Sequence, residues 1–275
     1  MILRPNILSD NIKKQREDFV AEYVAMFPDI DAAKALALIK SNEHFHFLTE
    51  KWYDLLLNHS LEEAYEVYND DYYFTDMWNC YQTYSRSYLR NMYELKVNNN
   101  TQSIIEYFGD IRTVVDIGCG CGITTTALTK MFPSAKIWGI NLKGTKQWKF
   151  CEQRAQQNNF SMVENIDDIS DPIDFIFASE YFEHILDPVT HIRDIVSKHS
   201  PKYFVIANAF NTHSIGHFNT YQVEGVGPVD QSKISRMFLR ELKQLGYSKV
   251  KTSLFNGRPA VYELAAHNLK DFYNE

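Results

Sequence analysis

Residues 113–128 read Thr-Val-Val-Asp-Ile-Gly-Cys-Gly-Cys-Gly-Ile-Thr-Thr-Thr-Ala-Leu, and their reading decides the fold. Ile111–Asp116 is an apolar run ending in one acid, the pattern of a buried strand. Gly118, Gly120 and Gly122 alternate after it, and a helical stretch follows from Ile123. Glycine lets a backbone turn tightly and approach a ligand closely, while a helix N-terminus offers N–H donors left free by intrahelical bonding. Asp116, at the strand's end, can accept hydrogen bonds from a ligand or from the loop's own amides.

Strand and helix patterns alternate outward from this loop. Apolar strand candidates are Ile111–Asp116, Lys136–Asn141, Met162–Asn165, Ile173–Ala178 and Tyr203–Asn208, with helical stretches between them. That order predicts a Rossmann-like α/β fold, a parallel sheet covered on both faces. Ser232–Leu245 reads as a helix stopped by Gly246. Tyr247–Phe255, Asn256-Gly257 and Pro259–Ala265 read as a terminal β-hairpin.

The first hundred residues read instead as an α-helical extension or lid, with residues 101–275 as the main domain and Asn98–Thr101 as the boundary. Ser9 and Asp10 can cap a first helix running to about Met26, and Asp31 a second. Ten of the 39 aromatic residues fall between Tyr65 and Tyr93. Met77, Tyr81, Tyr84, Tyr88 and Met92 recur at steps of three or four, which predicts one helix face packed on the rest of the protein. Tyrosines on that face can also turn a hydroxyl toward a ligand.

Hydrophobic residues make up 45% of the 275 and charged residues 23%, which argues against a disordered chain. The sequence has neither an apolar run of membrane-span length nor a secretory signal at its start, so a cytoplasmic protein away from membranes is expected. Cys80, Cys119, Cys121 and Cys151 are too few for a disulfide scaffold, and the two in the loop read as small fillers. The net charge of −7 is uneven. Residues 1–100 carry 10 Lys and Arg against 16 Asp and Glu, and the remainder 18 against 19. A nucleic-acid substrate usually calls for a basic face, and this balance offers none by count.

Two ligand classes compete for the glycine loop. A dinucleotide fingerprint begun at Gly118 needs glycine where Ile123 stands, and begun at Gly120 it meets Thr125. The next strand ends in Asn141, not the acid that grips an NAD ribose. Asp116, Gly118, Gly120 and Gly122 instead resemble motif I of the class I S-adenosylmethionine-dependent methyltransferases, Asp-x-Gly-x-Gly-x-Gly, within a likeness covering about residues 101–265. That resemblance implies a seven-stranded sheet, S-adenosylmethionine as cofactor, and a pocket beyond the strand ends.

The resemblance also distributes roles. Gly139-Ile140-Asn141-Leu142 with Gln147 is similar to a subset that includes cyclopropane synthases and several small-molecule methyltransferases, which implies Asn141 and Gln147 at the ribose. At the third strand's end it implies Asp167 at the adenine amino group and Ile166 against the ring, with Asn165 one residue from either. Ser179-Glu180-Tyr181-Phe182-Glu183-His184 looks like the Ser-Glu-x-x-Glu-His segment of several branches, which implies Ser179 and Glu180 facing the methionine part and the acceptor.

Methyl transfer from a sulfonium is an in-line displacement, so alignment and desolvation carry most of the catalysis. A hydroxyl acceptor must lose a proton. His184 can take it near neutral pH, with Glu180 or Glu183 orienting the ring. A second reading makes Glu180, Glu183 and His184, spaced i, i+3 and i+4, ligands of a divalent metal. Ubiquinone-pathway and small-RNA 2′-O-methyltransferases look similar here, and the latter add a histidine from the next loop. His213 or His217 within Phe210–Tyr221 would supply it, and a Mg²⁺, Mn²⁺, Fe²⁺ or Zn²⁺ site would follow. The same loop, through Asn211, His213, His217 and Tyr221, is expected to meet the acceptor, and Val223–Val229 gives it room to move.

The expected activity is methyl transfer to a hydroxyl or amine of a small polar molecule. The alternatives are a cofactor-binding protein without transfer activity, whose acidic helices dock a partner, and a metal-dependent RNA 2′-O-methyltransferase.

Overall fold

The structure, a computed structural model, describes residues 11–41, 43–97, 102–252 and 259–265. The chain begins with α1 (Ile12–Met26), α2 (Ala32–Leu38), α3 (Glu43–Asn58) and α4 (Leu61–Ala64). The expected caps Ser9 and Asp10 lie outside the described residues; Asn11 caps α1 by accepting from the Lys14 amide, and Asp31 caps α2.

Next comes a helix that runs unbroken from Tyr73 to Glu94, as α5 (Tyr73–Cys80), a wide π-helical turn at Tyr81–Ser85, and α6 (Arg86–Glu94). The expected aromatic face is mostly present: Tyr81, Tyr88 and Met92 are buried. Tyr84 departs from it, 42% exposed, while Ser85 is buried in its place. The extra backbone in the wide turn shifts which residue points inward.

A short α7 (Ile104–Phe108) leads into β1 (Thr113–Ile117), α8 (Ile123–Met131), β2 (Lys136–Ile140), α9 (Lys146–Asn158), β3 (Ser161–Val163), β4 (Phe175–Ser179), α10 (Pro188–His199) and β5 (Tyr203–Ala207). The chain then makes a small hairpin, β6 (Thr220–Val223) with β7 (Gly227–Asp230), before α11 (Gln231–Gln244), β8 (Tyr247–Lys249) and β9 (Ala260–Leu264). The expected mobile stretch at 223–229 is therefore the turn of a hairpin, 224–226, with strand residues on both sides of it. The predicted Asn256-Gly257 turn lies outside the described residues.

The main sheet has seven strands in the order β3-β2-β1-β4-β5-β9-β8. The first five are parallel, and β9 runs antiparallel to β5. Apolar side chains buried on both faces explain why these strands read as continuous hydrophobic runs. The Asp174 carboxylate takes the Arg112 and Thr113 amides, so β1 starts at Thr113, two residues later than the pattern predicted.

Two apolar clusters cover the faces. One joins Phe19, Tyr23, Phe74 and Trp78 to Val114, Phe150 and Phe177. The other joins Leu48, Trp52 and Val67 to Ile117, Ile176 and Phe210. The N-terminal helices thus contribute to both cores. Strand order reverses between β1 and β4, and in such sheets ligands bind beyond the strand ends at that crevice.

Candidate active site

The glycine loop lies at that crevice. Gly118, Gly120 and Gly122 all have positive φ, at 74°, 53° and 71°. The amides of Gly118 and Cys119 both donate to the Ile140 carbonyl, tying the loop to the end of β2. Asn141 holds it from the side: Nδ2 donates to the Gly120 carbonyl at 2.9 Å, and Oδ1 accepts from the Leu142 amide at 2.8 Å. Asp116 is buried and accepts from Thr125 Oγ1 at 2.6 Å. Desolvation pushes its carboxyl up to about 7, partly offset by that hydrogen bond.

Sulfur packs the loop. Cys119 Sγ sits 3.7 Å from Cys151 Sγ and 3.9 Å from Met162 Sδ, and Cys121 Sγ lies 3.5 Å from Met77 Sδ. The two loop cysteines are fillers, as expected, but Cys151 is part of their cluster.

Two cavities open onto this loop. The larger, about 490 Å³, is walled by the glycine loop, Ser179, Glu180, α5 with its wide turn, and the segment after β5. The second, about 370 Å³, is walled by Ile140, Asn141, Leu142, Gln147, Glu164, Tyr181 and Ile185 together with Tyr65 and Tyr68. Gly118, Gly120, Tyr73, Met77, Glu180 and His184 line both.

Glu180 has φ 52°, a left-handed conformation that costs a non-glycine residue about 1–2 kcal/mol. Its amide donates to the Ala207 carbonyl at 2.7 Å, and its Oε1 accepts from the Tyr88 hydroxyl at 3.2 Å. Ser179 Oγ pairs with Ser85 Oγ at 3.0 Å. The helix Tyr73–Glu94 therefore closes over the end of β4 through its wide turn and the turn after it.

His184 faces both cavities. Its Nδ1 lies 3.1 Å from the Tyr68 hydroxyl, and its ring meets that of His217 edge-on at 4.9 Å. Desolvation drives His184 down to about 3 and His217 to about 4, each further lowered by a neighbouring imidazole. Gly216, at φ 78°, backs the pair so closely that a Cβ there would strike both the Tyr68 oxygen and His184 Nδ1.

The backbone after Glu180 separates what the i, i+3, i+4 spacing was expected to unite. Phe182–His184 is a 3₁₀ turn, not an α-helical face. Glu183 points into the interior, fully buried, where its Oε1 accepts from the Ala209 amide at 2.7 Å. Desolvation, reinforced by the Glu180 carboxyl, holds it well above the usual carboxylate range. Tyr68, from the helical region, takes the orienting position expected of Glu180 or Glu183. His213 is exposed and stacks on Tyr53 at 4.0 Å, away from the cavity. Among the described residues no group of three or more His, Cys, Asp or Glu is arranged to hold a metal ion. The divalent site expected from Glu180, Glu183, His184 and His213 therefore does not assemble.

Other expected residues divide likewise. Gln147 lines the second cavity beside Asn141. Ile166 is buried in the apolar core, and Asp167 pairs on the surface with Lys198 at 2.5 Å and His199 at 3.0 Å; neither lines either of these two cavities. Within the loop after β5, His217 lines the larger cavity, Asn211 is exposed, and buried Tyr221 donates to the Glu183 carbonyl at 3.0 Å. Tyr68, Asp76 and Gly216 were missed. Their sequence signals, an aromatic-rich stretch and one glycine, do not show contacts across more than a hundred residues.

Among the described residues no helix is long and apolar enough to cross a membrane. A trans-aconitate 2-methyltransferase of Rhodopseudomonas palustris (strain BisA53) is 29% identical over 97 residues, 34% of this chain and 37% of that relative. A SAM dependent methyltransferase from Aquifex aeolicus shares 17% identity over 58% of this chain and 84% of its own, with a TM-score of 0.38. An O-methyltransferase family protein from Burkholderia thailandensis shares 11% over 56% and 51%, also at 0.38. The methyltransferase domain family matches residues 82–247. This stretch takes in most of the wide turn, the glycine loop, the rim of β4 and the loop after β5, more than half of the chain, and the protein accordingly belongs to the methyltransferase domain family.

Proposed function

We propose that the protein is an S-adenosylmethionine-dependent methyltransferase acting on a hydroxyl or amine of a small polar molecule. The observation that carries this reading is the junction of the two cavities at Gly118, Gly120, Glu180 and His184, beside a glycine cradle at the sheet's switch point. One cavity suits a donor and the other an acceptor, with their reacting ends meeting at that junction.

The residues fit the cofactor. Carboxylates line the cavities without a lysine or arginine among the described residues, which favours a ligand of net positive charge. The glycine loop and the start of α8 would hold its methionine end, with Asn141 and Gln147 at the ribose. When bound, S-adenosylmethionine supplies a sulfonium methyl whose transfer leaves a neutral thioether and releases one proton from the hydroxyl or amine acceptor.

His184 takes that proton. Burial keeps its imidazole unprotonated at neutral pH, so a ring lone pair is present, while the same burial weakens it as a base and makes stabilisation of the imidazolium necessary. Tyr68 fixes the ring from Nδ1, and the Glu180 carboxyl at the rim faces the positive charge that forms. Glu183 works from behind, fixing the backbone of the loop after β5 through Ala209.

Calorimetric binding of S-adenosylhomocysteine and transfer of label from methyl-labelled cofactor into a small-molecule extract test the reading. Micromolar binding with label transfer is expected, and His184→Asn should reduce turnover by about 10²-fold while binding persists. No binding at millimolar ligand sinks the proposal. Binding with no transfer into any fraction identifies a cofactor-binding protein instead.

A further inference from the structure

The larger cavity has a wall whose chemistry points to the acceptor. Asp76, Asn79 and Thr83 succeed one another at steps of three and four along α5 and its wide turn, so they share one helical face, and all three line the cavity. Asp76 Oδ2 is buried there with no hydrogen-bond partner among the described residues. A buried carboxyl oxygen without a donor is costly unless a ligand provides one. Facing this wall, the segment after β5 contributes Thr212, Ser214 and His217, which are polar but carry no fixed charge.

No lysine or arginine lines either cavity among the described residues. Of the histidines in the larger one, His184 and His217 are held neutral by burial, and His46 stands exposed at the mouth. The N-terminus of α8 also reaches the larger cavity, through Ile123 and Thr124, where it would hold the carboxylate of the cofactor's methionine end. An acceptor carrying a carboxylate or phosphate would therefore meet Asp76 and Glu180 with no lysine or arginine opposite them among the described residues, and it would lose its hydration on entry.

We propose that the methyl acceptor is an uncharged or amine-bearing molecule, recognised along α5 and its wide turn by Asp76, Asn79 and Thr83, and that carboxylate- and phosphate-bearing acceptors are rejected. This deepens the methyltransferase reading and rests on it. Asp76 accepts a hydrogen bond from an N–H or O–H of the acceptor, with Asn79 and Thr83 offering further polar contacts at the next positions of the face. Desolvation lifts the Asp76 carboxyl to about 7, which a cationic amine would reverse by pairing with it.

The test uses the full chain saturated with S-adenosylhomocysteine, whose own binding is measured first; failure at that step overturns the methyltransferase reading and this one together. Tyramine and 4-hydroxyphenylacetate, phenols of similar size and opposite charge, are then titrated calorimetrically. Tyramine is expected to bind at least about tenfold more tightly, and Asp76→Asn to erase most of that preference. Equal affinities, no binding of either probe, or the reverse order overturns the proposal. So does an Asp76→Asn variant that loses affinity for S-adenosylhomocysteine as much as for tyramine, because Asp76 would then belong to the cofactor. Asn79→Ala, which leaves the charge unchanged, should weaken both phenols alike. In turnover with a metabolite extract, labelled product should pass an anion exchanger, and product retained there counts against the proposal.

Discussion

Gly122→Ala probes the cradle most directly. Gly122 caps α8 at φ 71°. An added Cβ would lie 2.7 Å from Cys151 Sγ and 3.2 Å from Phe160 Cζ. Both neighbours are buried, so neither can swing into solvent. The left-handed backbone costs alanine about 1–2 kcal/mol, and overpacking a filled interior adds about 1–3 kcal/mol. The expected destabilisation is therefore about 2–5 kcal/mol, a large share of a typical domain's stability of about 5–15 kcal/mol. Gly144→Ala is the control, since Gly144 has φ 87° but nothing within 4 Å of an added Cβ. It should lose only the backbone part, about 1–2 kcal/mol. Urea unfolding followed by circular dichroism measures both, and calorimetry with S-adenosylhomocysteine reads the loop. If Gly122→Ala is no less stable than Gly144→Ala and binds as wild type does, the packing account of the cradle is wrong.

Tyr68→Phe should lower kcat by about tenfold with little change in S-adenosylhomocysteine affinity, because it frees the His184 ring without emptying a cavity; an unchanged kcat removes Tyr68 from the positioning role. Asp167→Asn should leave cofactor affinity within about twofold, since its carboxylate is held by surface ion pairs worth little. A loss well beyond that would return Asp167 to the adenine. Protonation gives a signed test: His217 is driven to about 4 from its ordinary 6.5, so the unfolded chain binds protons first and stability falls as pH drops through 6.5 toward 4. At pH 5 this penalty is at most about 2 kcal/mol, and His217→Gln should remove it. Asp116 and Asp76, lifted to about 7 from 3.8, act oppositely and gain stability over the same fall. The urea midpoint of His217→Gln should therefore rise relative to that of wild type as pH falls from 7 to 5; parallel pH profiles would refute the assignment.

Parallel strands buried on both faces leave unbroken apolar runs, so β1, β2, β4 and β5 were legible to within a few residues, and with them the glycine loop. Short elements were less so. In β6 and β7 four residues each, with Gly227 and Pro228 in the second, leave too little pattern to separate a hairpin from a loop. The candidate site was legible where its residues adjoin strand ends, as with Asn141, Ser179 and Glu180. Reading Glu180, Glu183 and His184 as one face assumed a helical period, and the left-handed backbone at Glu180 followed by a 3₁₀ turn sends Glu183 inward. Tyr68 reaches His184 across 116 positions of chain, a contact made by packing of the helical region that no local periodicity encodes.

The wide turn at Tyr81–Ser85 makes chain length itself part of the site. The turn holds one residue more than an α-turn would, so winding the same residues as ordinary α-helix would rotate every later one by about 100° around the axis. Ser85 and Tyr88 would then leave Ser179 and Glu180 although no residue had changed. A relative one residue shorter across the turn could rebuild this rim on a plain α-helix; here the extra residue and the wide turn are inherited together.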